Sequence, residues 1–174
     1  SRELPDGRDL NRCFPGSKTG SLGSRIAYDV MKEIISQIDF GIDFHTGGAK
    51  INNTPQLRCV FSQEQNLEIA TQFQPPFILN APFREQTLRK EAAKKGKSIL
   101  VFEGGESSRF DYVSINEGIN GCLRLMHSLK MVEVDIPFNK TMKLGGATWI
   151  RAKASGLFHT SKANGTPVEK GEQI

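Results

Sequence analysis

Short apolar segments alternate with segments of helical periodicity along the first three quarters of this 174-residue chain. The clearest apolar run, Ser-Ile-Leu-Val-Phe at 98–102, follows the helix-forming stretch 86–95 and its terminal Gly96. A short apolar run between turn signals is typical of a strand buried on both faces. Because alternating strands and helices stack in layers, the pattern predicts an α/β fold: a mostly parallel or mixed open sheet with helices on both faces.

Other segments of the chain fit the same alternation. Apolar residues at helical spacing predict helices over 21–38, 64–73 and 115–129, and short β-like runs predict strands over 40–45, 57–61 and 77–79. Thr19 or Ser21 is the predicted N-cap of the first helix. The first 134 residues are therefore interpreted as one α/β domain.

The composition changes near residue 135. Residues 143–158 and 165–171 are β-like and punctuated by glycine. They resemble the first half of a biotinyl/lipoyl-like hammerhead, so residues 135–174 are interpreted as the start of a small β domain of barrel-sandwich type. No lysine lies in a recognisable lipoyl or biotin attachment turn, which favours a structural or substrate-shielding role.

Composition narrows the class of protein. With 37% hydrophobic and 24% charged residues, the chain lies in the globular range, and no apolar run approaches the ~18 residues of a membrane helix. The net charge of +4 comes from basic residues interleaved with 19 acids, which argues against nucleic acid as a partner. Three dispersed cysteines favour a reducing compartment, so the expected location is cytoplasmic and no membrane partner is expected. Nothing indicates the oligomeric state.

Asp6–Gly16 is a dense polar cluster, Asp-Gly-Arg-Asp-Leu-Asn-Arg-Cys-Phe-Pro-Gly. An arginine fork beside an asparagine amide, as at Asn11 and Arg12, suits the binding of a carboxylate. The alternative is a solvated loop in which Asp9 binds backbone amides.

Two further polar residues follow predicted strands. His45 precedes a glycine loop at the carboxyl end of its strand, where ligands bind in open α/β sheets; it is either a metal ligand or a structural histidine. Glu103 follows the strand 98–102 and is a candidate general base if it faces the same crevice as His45. Glu106 is the alternative base, and the alternative role for Glu103 is a turn carboxylate.

These clusters together resemble a known family. Asp-Leu-Asn-Arg at 9–12 with Phe-Pro-Gly at 14–16, Asp-Phe-His-Thr at 43–46, and Val-Phe-Glu-Gly-Gly at 101–105 are similar, in this order, to motifs of the succinylglutamate desuccinylase/aspartoacylase family of zinc hydrolases. That family is related to carboxypeptidase A. The resemblance covers nearly the whole chain and implies a carboxypeptidase-like catalytic domain over residues 1–134.

The resemblance also implies roles for individual residues. His45 matches the third zinc ligand, and Glu103 matches the glutamate that activates water and protonates the leaving amine. Asn11 and Arg12 match the pair that holds the substrate carboxylate. Arg2 matches the arginine that polarises the scissile carbonyl.

Arg8 is the alternative to Arg2 in that last role. A second carboxylate clamp has four arginine candidates that the sequence does not rank: Arg58, Arg84, Arg89 and Arg109.

The chain departs from the family in its zinc ligands. The family's first two ligands come from an H-x-x-E motif, whereas His45, His127 and His159 are followed three residues later by glycine or lysine. A catalytic zinc takes three protein ligands. The expectation is that this chain is an internal segment of a longer enzyme whose other two ligands lie upstream of Ser1, and that His127 and His159 are surface or packing residues.

The expected function is zinc-dependent hydrolysis of the amide bond of a small N-acyl amino acid or a related carboxylate-bearing substrate. Water activated by Zn²⁺ would be the nucleophile, with glutamate as base and acid. The alternative is a non-catalytic carboxylate-binding module that has lost its metal site.

Overall fold

A computed structural model of the chain describes residues 2–48 and 51–174. The strands are β1 (Phe40–Gly47), β2 (Asn53–Cys59), β3 (Phe77–Asn80), β4 (Ser98–Glu106) and β5 (Met142–Leu144). The helices are α1 (Leu22–Asp29), which continues as a π-helical segment over Val30–Ile35, then α2 (Glu64–Phe73), α3 (Leu88–Lys94) and α4 (Tyr112–Ser128). A 3₁₀ turn spans Leu10–Arg12.

The five strands form one mixed sheet in the order β1-β4-β2-β3-β5. β1 runs parallel to β4, and β3 runs parallel to both β2 and β5. β2 runs antiparallel to β4, so the two halves of the sheet run in opposite directions. The prediction of an open α/β sheet, mostly parallel or mixed, is therefore confirmed, and the sheet is mixed.

Each face of the sheet is covered by helices. On one face, strand residues such as Leu57 and Phe102 pack with Phe73 of α2 and Leu125 of α4. On the other face, Ile99 of β4 packs in a second core. The buried residues of that core are Phe14, Ala27, Met31, Ile35, Ala92 and Ile99. Side chains two residues apart on a strand share a face, so Val101 and Glu103 lie on the same side of the sheet as Ile99.

Side-chain caps fix where the helices begin. Ser21 accepts a hydrogen bond from the Ser24 amide and begins α1, which selects Ser21 over Thr19 as the cap. Thr87 caps α3 in the same way, and Asp111 accepts from two amides at the start of α4. These caps satisfy amides that have no partner within the helix.

Part of the apolar stripe of α4 faces away from the core. Ile115 and Ile119, whose helical spacing contributed to the prediction of this helix, are 38% and 53% exposed. They line a cavity of about 520 Å³ with Phe44 of β1, at the edge of the sheet. The core side of α4 instead carries Gly118 and Gly121, because the rings of Phe44 and Phe73 approach the helix closely there.

The small β domain expected over residues 135–174 is not confirmed. Met142–Leu144 pairs with β3 and so extends the main sheet. Residues 145–174 contain no further strand. Part of this segment contacts the residue that precedes β2, since Asn164 Nδ2 donates a hydrogen bond to the Asn52 carbonyl, 2.8 Å away.

Among the described residues, no helix has the length and apolar character needed to cross a membrane.

Candidate functional site

His45 and Glu103 lie side by side at the carboxyl ends of two neighbouring parallel strands. They are paired in the register of β1 with β4, and Nδ1 of His45 is 4.0 Å from Oε1 of Glu103. The Glu103 side chain is only 13% exposed and that of His45 is 31% exposed. The two candidate residues therefore lie next to each other on one face of the sheet.

Asp43 fixes the orientation of the His45 ring. The two residues are two positions apart on β1 and share a face, and Nε2 of His45 is 2.9 Å from Oδ2 of Asp43. A carboxylate can only accept a hydrogen bond, so Nε2 carries the proton and donates it. This hydrogen bond raises the pKa of His45 above its ordinary value, against the opposing effect of burial. In the neutral ring, Nδ1 is left as the unprotonated nitrogen that faces Glu103.

Both carboxylate oxygens of Glu103 contact side chains of β2. Asn53 Nδ2 donates to Oε2 at 2.9 Å, and Arg58 Nη1 lies 3.2 Å from Oε1. Glu106, the alternative base, pairs with Arg109 in the turn that follows β4. The geometry therefore favours Glu103 over Glu106 as the carboxylate beside His45.

The N-terminal polar cluster folds around Asp9. Its Oδ1 accepts a hydrogen bond from the Asn11 amide at 2.9 Å, and its Oδ2 accepts from Arg2 Nε at 2.8 Å. The Arg2 side chain is 66% exposed. Arg2 is thus held by Asp9, and the structure places it in no contact with His45 or Glu103. Asp9 binds a backbone amide, as the solvated-loop alternative expected.

Asn11 attaches this loop to the start of α3, and Arg12 binds within the loop. The Asn11 side-chain oxygen accepts a hydrogen bond from the Leu88 amide at 3.0 Å. Arg12 donates through Nη1 to the Asn11 carbonyl and is partly buried. The two side chains therefore sit on a loop that is packed against the same face of the sheet as Ile99.

The described residues do not form a complete metal site. His45 offers one imidazole nitrogen, and within 2–48 and 51–174 no three His, Cys, Asp or Glu side chains are grouped to hold a metal ion. A catalytic zinc has three protein ligands. His45 fits one of them, through the Nδ1 atom that Asp43 leaves free.

Three residues of the site were not predicted from the sequence in these roles: Asp43, Asn53 and Arg58. Asp43 was detectable, because a residue two positions before His45 in a strand must share its face. Asn53 and Arg58 were not, because their contact with Glu103 depends on the antiparallel register of β2.

Comparisons with known proteins agree on one family. The sequence model of the succinylglutamate desuccinylase/aspartoacylase catalytic domain matches residues 1–129. A curated relative, the N-alpha-acetyl-L-2,4-diaminobutyric acid deacetylase of Halomonas elongata, is 28% identical over 97% of this chain and 53% of its own length.

Solved structures show the same fold. A succinylglutamate desuccinylase/aspartoacylase from Rhodobacter sphaeroides superposes with a TM-score of 0.83 at 24% identity, covering 99% of this chain and 56% of that one. A succinylglutamate desuccinylase from a Silicibacter species gives 0.82 at 22% identity, covering 97% and 54%. The chain thus spans about half the length of these relatives.

Proposed function

Since the chain belongs to the succinylglutamate desuccinylase/aspartoacylase family, we propose that it forms part of a zinc-dependent deacylase that hydrolyses the amide bond of a small N-acyl amino acid. The observation that carries this proposal is the pairing of His45 with Glu103 across parallel strands. A metal-binding nitrogen and a general base would then lie close enough to act on the same substrate. Family membership supports deacylation as the activity. The pairing of His45 with Glu103 supports a mechanism that uses a metal ion and a general base.

Zinc binding is part of the proposal. His45 would supply one ligand through Nδ1, and two further protein ligands would complete the site. When bound, zinc supplies the Lewis acidity that activates water and polarises a carbonyl. Asp43 would hold the His45 ring in the tautomer that leaves Nδ1 free, a common arrangement for metal-binding histidines.

Glu103 would move the proton. Its carboxylate accepts a proton from the attacking water as the new C–O bond forms, and then delivers it to the nitrogen of the leaving amine as the C–N bond breaks. Burial of the side chain limits exchange of that proton with bulk water, and the contacts to Asn53 and Arg58 fix where the carboxylate lies.

The substrate would be held by its carboxylate. Asn11 and Arg12 offer an amide and a guanidinium on a loop anchored at the Leu88 amide. Arg2 would polarise the scissile carbonyl, with Arg8 as the alternative. In that role Arg2 would keep its bond to Asp9 and use its remaining N–H groups.

The test is hydrolysis by the intact enzyme, meaning the full polypeptide that contains this chain. N-acetyl and N-succinyl amino acids are assayed for release of the free amine, beside matched substrates whose carboxylate is converted to an amide. We expect turnover of the carboxylates, weak turnover of the amides, loss of activity with a chelator and recovery with Zn²⁺. Equal turnover of acids and amides, or activity indifferent to chelation, would contradict the proposal.

The second candidate is a carboxylate-binding module without a metal, and the single ligand found among the described side chains is the observation that favours it. Metal analysis separates the two: one zinc per intact chain supports the enzyme, and none supports the binder.

We further propose a cytoplasmic location, since Cys13, Cys59 and Cys122 are all free thiols.

A further inference from the structure

We propose that Asn53 and Arg58 are positioning residues that hold the Glu103 carboxylate in its reactive orientation. This inference rests on the proposed function, in which Glu103 is the general base. Both residues belong to β2, the antiparallel neighbour of β4. Neither needs to touch the substrate in this role, because each acts through Glu103.

The strand register explains how both side chains reach the same carboxylate. Arg58 lies opposite Val101, two residues before Glu103, and so shares the face on which Glu103 projects. The register shifts between Asn53 and Gln56, which places Asn53 opposite Gly105, beyond Glu103. Glu103 is therefore approached from both directions along β4.

The contacts divide the two oxygens between two donors. Asn53 Nδ2 binds Oε2 at 2.9 Å, while Arg58 Nη1 lies 3.2 Å from Oε1, the oxygen that is 4.0 Å from His45 Nδ1. A glutamate side chain has several rotatable bonds, so a carboxylate without such contacts samples many positions. Donors on both oxygens fix its plane, and a catalytic group needs this preorganisation.

Fold stability alone does not account for Arg58. Its Nε atom is buried and has no hydrogen-bond partner, and an unsatisfied buried donor is destabilising. Arg58 also lies near a second guanidinium, that of Arg89. Burial is the largest cause of the lowered pKa of Arg89, and the positive charges of Arg58 and Arg84 also lower it. The Arg58 side chain is 33% exposed, so its ion pair with Glu103 is in contact with solvent, and pairs of that kind contribute little to stability. Arg58→Met should therefore fold, and its defect should appear in turnover.

The experiment compares four variants of the intact enzyme: Asn53→Ala, Arg58→Met, Arg58→Lys and Arg25→Met. Arg25 is exposed on α1 and serves as the matched control. For each variant we measure kcat and KM on an N-acyl amino acid, bound zinc and the melting temperature.

We expect kcat to fall about 10–100-fold in Asn53→Ala and Arg58→Met, with little change in KM. A loss of this size is typical of residues that orient a catalytic group without contacting the substrate. Zinc content and melting temperature should remain near wild type. Arg58→Lys should recover part of the lost kcat, because it keeps the charge but not the planar fork. Arg25→Met should match the wild type.

Unchanged kcat in both variants, in an enzyme that Glu103→Gln inactivates, would overturn the inference and leave the proposed function standing. A rise in KM at constant kcat would also overturn it, since Arg58 would then bind substrate. If Arg58→Met does not fold, Asn53→Ala decides alone. If the wild-type enzyme hydrolyses no N-acyl amino acid, the proposed function fails and the inference fails with it.

Discussion

His45 Nδ1 lies 4.0 Å from Glu103 Oε1, although the two residues are 58 positions apart in the chain. The parallel pairing of β1 with β4 brings them together, because both follow their strands' apolar segments to the same edge of the sheet. Asp43 holds the far nitrogen of the imidazole, and β2 holds the carboxylate. Each of these contacts leads to a test.

Arg12 is predicted to bind the substrate carboxylate. In Arg12→Met, the loss of a charge-assisted hydrogen bond should raise KM by roughly tenfold to a hundredfold while kcat changes less. Steady-state kinetics of the intact enzyme measure both constants. Arg25→Met is the matched control, because Arg25 is exposed on α1; equal KM values for the two variants would refute the role of Arg12.

His45 is predicted to bind zinc. His45→Ala removes the nitrogen that Asp43 leaves free, so the purified intact enzyme should lose most of its bound zinc, as measured by elemental analysis. His127→Ala, at the end of α4, should retain it. Full zinc occupancy in His45→Ala would show that the metal site lies elsewhere.

Cys59 is predicted to resist alkylation in the folded protein. Burial raises the pKa of its thiol to about 11, whereas the pKa of an unfolded cysteine is about 8.5. The folded state therefore binds this proton more tightly, and between these two pH values stability falls as pH rises. Mass spectrometry after iodoacetamide treatment at pH 8 should find Cys13 modified well before Cys59. Comparable rates of modification in the native protein would contradict the buried position.

Gly121 is predicted to be intolerant of any side chain. A Cβ atom at this position would lie 2.0 Å from the Phe73 ring, at the packing of α4 on α2. Gly121→Ala should therefore lower the free energy of unfolding by about 1–3 kcal/mol or more, as overpacking does. Gly146→Ala is the control, since nothing lies within 4 Å of its added Cβ. Chemical denaturation of both variants checks the difference.

The local elements were predictable because their signals are local. The predicted helix over 64–73 coincides with α2, and the apolar run 98–102 became β4, which extends to Glu106. Gly96 ends the α3 region with φ at +70°, a conformation that favours glycine. The proximity of His45 and Glu103 was predictable because each directly follows an apolar strand segment.

Contacts across the sheet were not predictable in the same way. The antiparallel direction of β2 is not encoded in the apolar residues of that strand, yet it determines that Asn53 and Arg58 meet Glu103. Arg124 is similar: it is buried on α4 and donates to the backbone carbonyls of Phe73, Gln74 and Pro137. Backbone acceptors of this kind leave no residue pattern in the sequence.

The most direct test of the account is Glu103→Gln in the intact enzyme. The substitution keeps the size and the hydrogen-bonding reach of the side chain but cannot accept the proton of water. Turnover of an N-acyl amino acid should fall at least about a hundredfold, the usual contribution of a general base, while bound zinc stays near the wild-type value. Retained turnover with normal zinc content would show that Glu103 is not the base and would contradict the account.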